Sequence, residues 1–181
     1  MQALGLGQTE QRVADLYRLA FLLTGHREHG VDAAIQALDS QDSANPFFST
    51  WMRAWSRRLV IAKALAAIRG ELVSSARRTA SRRTEKAALP PRDWALGDDT
   101  TKAQIESALL AIDAFPRCAL LLLAFEGVSL EDAVILLDSD RDLVRKAQTI
   151  GSRELTSNLA RMQGWHSTSK RLLVTSEMQH A

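Results

Sequence analysis

The stretch that most constrains this chain is FPRCALLLLAFEGVSLEDAVILLDSDRDLVRKAQTIGSREL, residues 115 to 155. It reads as a helix, a glycine stop, a short helix, a tight turn and a longer helix. Pro116 suits the first helical position, where its missing N–H would have no partner anyway. The apolar run Leu120 to Phe125 is too short to span a bilayer, so it is expected to be a buried helix. Gly127 follows it as a left-handed cap. Ser129 with Asp132 has capping-box spacing, and Ser139 with Asp142 repeats it. Leu130, Ala133, Val134 and Leu137 share one face of the short helix. Leu143, Ala147 and Ile150 share one face of the long helix. Two capped helices joined by a three-residue turn, 138–140, make a helix-turn-helix, whose second helix can lie in a DNA major groove. An ordinary hairpin in an α-helical core fits the same spacing.

Upstream, apolar residues recur at helical intervals: Val13, Leu16, Tyr17, Ala20 and Leu23 on a first helix, then Val31, Ala34, Ile35 and Leu38 on a second. DSQDSANP, 39–46, is a loop by composition. A long helix follows from about Phe47 to beyond Ile68, with Met52, Trp55, Leu59, Ala62 and Ala66 as its expected buried seam. Trp51 and Trp55 beside Arg53, Arg57 and Arg58 could stack bases, although core packing is the natural place for Trp55. Thr101 with Gln104 caps another helix, with Ile105, Ala108, Leu109 and Ile112 inward.

Charge is what marks the middle of the chain. The net charge is only +2, yet residues 53 to 92 hold eleven basic and two acidic side chains. Such a local field can hold a polyanion, or simply solvate a linker. From residue 70 to 100, small polar residues, Pro90-Pro91 and Gly97-Asp98 read as an extended linker. The tail after Arg161 is expected to be loosely docked.

Other function classes find little support. The single cysteine, Cys118, lies in the apolar run, allows no disulfide within the chain and reads as a small buried hydrophobe. His26 and His29 could touch one metal ion, but no third ligand is evident. No carboxylate pair stands out as acid and base. No signal peptide or membrane span is visible, so the expected location is the cytoplasm.

Two blocks resemble extracytoplasmic-function (ECF) sigma factors of RNA polymerase. In the C-terminal block the matching residues are Leu109, Phe115, Pro116, Arg117, the Leu120 to Leu123 run, Glu126-Gly127-Val128-Ser129, Glu131, Ala133 and Leu136. In the N-terminal block they are LYRLAFLLTGHREHGVD, 16–32, and FSTWMRAWSRRLVIA, 48–62. The blocks stand in the family's order. The resemblance implies an all-α chain of two small helical domains joined by a basic linker. A region-2-like domain would span 8–72, the linker 73–100, a helix-turn-helix domain 101–162 and a tail 163–181. It implies that core RNA polymerase and promoter DNA are partners, that an anti-sigma factor is a possible one, and that the chain needs no catalytic residue, metal or cofactor. Trp51, Arg53, Arg57 and Arg58 would face downstream DNA. Arg141, Arg145 and Lys146 would face the upstream element, and Asp32 and Gln36 would grip the polymerase. The sequence departs from the family at Ile35 and Gln36, where Gln and Glu are usual, and at Leu137 and Asp138, which replace the turn's Gly and apolar residue. Asp138, Asp140 and Asp142 offset the basic residues of the last helix, so weak upstream DNA affinity is expected. Two alternatives remain: a sigma mimic that binds an anti-sigma factor without reading DNA, and a plain helical interaction module.

Overall fold

The computed structural model describes the backbone of residues 3–39, 49–83, 89–91, 94–97 and 99–165, with side chains except at 3–9, 36–39 and 49–53. The described residues are all-α, with eight α-helices, one π-helical turn and no strand. The order is α1 (Ala3–Thr24), α2 (Arg27–Asp39), α3 (Ser49–Ala67), α4 (Arg69–Ser81), α5 (Lys102–Leu110), α6 (Ala114–Leu120), the π-helical turn Leu121–Phe125, α7 (Leu130–Leu136) and α8 (Arg141–Met162). None of these helices is long and apolar enough to cross a membrane. The expected 39–46 loop, apart from Asp39, and the tail beyond Trp165 lie outside the described residues.

Helices α1, α2 and α3 pack on one another, and α8 packs on α5, α6 and α7. Helix α4 follows α3 after a break at Ile68 but packs on α6 and α8, and α1 meets α5 and α6 directly. The chain from residue 70 was expected to be an extended linker. Its first part is instead helical to Ser81, because Leu72, Ser75 and Thr79 supply a buried stripe of mostly small residues. Small hydroxyl residues carry little weight in an apolar pattern, which hides such a stripe. The buried apolar residues, from Leu16 on α1 to Ala147 on α8, form one connected core. Phe115, Leu122, Val60 and Leu23 are among its fully buried side chains.

Polar contacts tie the groups where they meet. The Phe115 N–H donates to the buried Ser75 Oγ at 2.9 Å. Arg78 donates twice to Asp113, which also accepts from the Ala114 N–H and so caps α6. Pro116 is therefore the third residue of α6, still within the turn whose N–H groups lack helical partners. Arg117 is buried without a carboxylate partner among the described residues. Its guanidinium donates to the carbonyls of Ile112 at 3.0 Å, and of Leu110 and Leu23 at 3.4 Å. These carbonyls lie at the C-terminal ends of α5 and α1, where a cation offsets the negative end of the helix dipole. Cys118 Sγ donates to the same Leu23 carbonyl, and burial pushes its thiol pKa up to about 12, so it stays neutral.

Several inward assignments shift. Val31 and Ile35 are 43% and 51% exposed, while Ala33 and Ala34 are buried. On α3 the buried seam runs through Ser56, Val60, Ile61, Ala64 and Leu65 and continues to Ile68 at the break, and Trp55 is 39% exposed. The bulk of Trp55 drew the expected seam one residue off; the small Ser56 is the residue that meets the core.

Candidate nucleic-acid interface

The candidate DNA-facing residues fall on two helices. Trp51 and Arg53 lie on α3, but their side chains are outside the described ones, as is that of Gln36 on α2. Arg57 and Arg58, also on α3, are both exposed and line a cavity of about 570 Å³ together with Ile61, Glu126, Val128 and Asp132. Arg57 is engaged there: its Nε and Nη2 donate to the two carboxylate oxygens of Glu126 at 2.8 and 2.6 Å. The Glu126 side chain is itself nearly buried. This bidentate bond raises the Arg57 pKa, against the opposing pull of partial burial. Arg58 makes no ion pair among the described residues.

The local sequence explains why Glu126 is there. The π-helical turn ends the apolar run with the Glu126 N–H donating to the Leu121 carbonyl, five residues back. Gly127 then takes a left-handed φ of 63°, as its role as a cap required. The wide turn leaves the Glu126 carboxylate on the side of α3.

The second group lies on α8. The turn before it holds four residues, 137–140, since α7 ends at Leu136. Ser129 caps α7 as expected, accepting from the Asp132 N–H. The cap of α8 is Asp140, accepting from the Leu143 N–H at 2.8 Å, and not Ser139. Asp138 stands at φ 49°, the left-handed position that glycine fills most easily. Arg141 pairs with Glu131 of α7. Lys146 Nζ donates to the Ala80 carbonyl at 2.7 Å, in the last turn of α4. Arg145 is exposed and carries no ion pair among the described residues.

The structure thus brings Arg57 and Arg58 to one cavity and leaves Arg141, Arg145 and Lys146 apart from it. Asp32 is exposed on α2. Two further arginines on α4 line adjoining cavities: Arg77, which the sequence offers only as part of a basic linker, and Arg69. Their membership in a basic block was visible, but their position opposite α7 was not. Among the described residues no three His, Cys, Asp or Glu side chains converge as a metal site. His26 and His29 stack edge to face, and Glu71 stands 3.7 Å from His26. No family model, curated protein or solved structure matches this chain.

Proposed function

We propose that the chain is a divergent ECF-type sigma factor: a cytoplasmic protein that binds core RNA polymerase and promoter DNA and directs the start of transcription. In this reading α1 to α3 form the region-2-like domain, the basic stretch after residue 72 is the connection, and α7 and α8 are the helix-turn-helix. The observation that carries it is the α6-to-α8 unit. A buried apolar helix packs against the second of two capped helices joined by a short turn, and the exposed start of that second helix bears Arg145. Arg145 would reach base edges or phosphates, and Arg141 and Lys146 would hold phosphates once freed from their internal partners. On α3, Arg57 and Arg58 would meet downstream DNA. Asp32 is placed on an exposed face, as a polymerase contact requires. The polymerase supplies the chemistry, so no catalytic group is needed.

A second reading, the sigma mimic that binds an anti-sigma factor, is favoured by one specific observation. Arg57, Arg141 and Lys146 are all bound internally. Binding to promoter fragments across a salt series separates the two. A DNA reader loses affinity steeply as salt rises, whereas a mimic shows no binding even at low salt.

A further inference from the structure

We propose that the segment from Glu126 to Asp138, which carries α7, is an acidic cover clamped over an arginine-lined groove on α3 and α4. Lifting it would open that groove to a polyanion. Two guanidinium–carboxylate pairs hold its ends. Arg57 grips Glu126 at one end, and Arg69 Nη2 donates to Asp138 Oδ2 at the other. Between these pairs the fit is open. Cavities of about 570, 320 and 230 Å³ lie along the seam. The first and third share Ile135 and Leu136; the second and third share Leu72, Val73, Leu137 and Asp138.

The charges around these cavities are sorted by side. The basic residues, Arg57, Arg58, Arg69 and Arg77, all come from α3 and α4. The acidic ones, Glu126, Asp132, Asp138 and Asp140, all come from the cover and the turn that follows it. A row of carboxylates therefore occupies the place that a phosphate backbone would take against a row of arginines. The cover is anchored along one face and open along the other. Within it only Ala133 and Leu137 are buried, Val128, Leu130, Val134 and Leu136 pack half-buried against the core, and Ile135, which faces the cavities, is 76% exposed. The main packing partners of α7 are α8 and the π-helical turn, and α3 is not among them. One of the cover's two end pairs, Arg69 with Asp138, is exposed to solvent on both sides, and an exposed pair of this kind adds little, so that end is where opening starts. The groove would otherwise keep its shape, because α4 is fixed to α6 through Ser75 and Phe115. Identifying the polyanion as DNA rests on the sigma-factor reading; the cover itself does not.

The test uses the full chain and the double variant Glu126→Gln/Asp138→Asn. Asn tolerates the left-handed turn position, so the fold is kept. Glu28→Gln/Asp99→Asn removes two exposed carboxylates elsewhere and serves as a charge-matched control. Hydrogen exchange is followed at residues 130–137, and binding to a labelled duplex of random sequence is followed by anisotropy at low salt. The expected result is faster exchange in the cover and duplex binding about tenfold tighter than the control, as freed arginines add phosphate contacts. Unchanged exchange at 130–137 would overturn the proposal. So would faster exchange when the control binds the duplex measurably and the variant binds it no tighter. Faster exchange with no duplex binding by any form supports the cover and overturns the DNA-reading function instead.

Discussion

Replacing Gly151 by alanine should destabilise the protein, although the same change inside a helix usually helps. Gly151 is buried on α8 where it crosses α6. A Cβ there would sit 2.6 Å from the Pro116 carbonyl oxygen and 3.1 Å from Leu120 Cβ, whereas ordinary contacts begin near 3.4 Å. The offending atom is backbone, and α6 is held on its other side by the Ser75–Phe115 hydrogen bond. It cannot swing away as a side-chain tip would, so the two helices must part by about 0.8 Å in a close-packed core. Alanine gains about 1 kcal/mol of helix propensity over glycine. Overpacking of this kind costs about 1–3 kcal/mol. Weaker dispersion along the whole parted crossing adds to that, so the net loss should be about 1–2 kcal/mol. Gly70→Ala on α4 is the internal control. Its Cβ would meet nothing within 4 Å, so only the propensity gain remains, about 0.5–1 kcal/mol of added stability. Urea unfolding followed by circular dichroism reads both, with unchanged m-values as the condition for comparing them. A Gly151→Ala protein as stable as the parent would refute the close crossing of α6 and α8, and with it the placement of the π-helical turn and α7.

The charged groups give three further tests. Arg117→Ala should cost about 3–5 kcal/mol in a thermal or urea melt, because it removes a buried cation from the carbonyls at the ends of α1 and α5; Arg117→Met, which keeps the stem, should lose less. Asp113 has its pKa held below the ordinary carboxylate range, chiefly by its hydrogen bond with Arg78, then by bonds with Ser75 and the Ala114 N–H. A depressed carboxylate pKa gives stability that is present above the unfolded value, near 4, and lost as pH falls below it. Asp113→Asn should therefore flatten the acid limb of a stability–pH curve and change little in its shape above neutral pH, and an unchanged acid limb would remove the pair from the account. In the DNA-reading interpretation, Arg145→Ala should weaken binding to upstream DNA by about 1–3 kcal/mol if it reads a base. Asp140→Asn/Asp142→Asn, which retains a capping side chain at 140, should strengthen that binding. Titration of labelled promoter fragments checks both, and no change in either variant would take α8 out of the interface.

Much of the helical order was legible because it rests on local chemistry. Thr101 with Gln104 forms the expected reciprocal capping box, Ser129 caps α7, and Gly127 takes the left-handed turn. The inward faces of α5 and α8 could be read because they carry medium-sized apolar residues at regular spacing. Reading failed where small or polar residues do the packing. Ser56 displaced Trp55 from the seam of α3, and Ser75 and Thr79 turned an expected linker into a helix that bridges the two groups. Asp140 took the cap from Ser139 because both are good caps one residue apart, and the turn geometry decides between them. At the candidate interface the basic residues themselves were visible, but their partners were not. Glu126 stands sixty-nine residues from Arg57, and no local rule joins positions so far apart.

The proposed function requires that the chain bind RNA polymerase. Co-elution of the purified protein with core RNA polymerase on a sizing column, with and without an established sigma factor as competitor, decides this. A sigma factor should form a stable complex that the competitor displaces. Elution of the two proteins apart, under conditions where the established sigma factor binds, would contradict it.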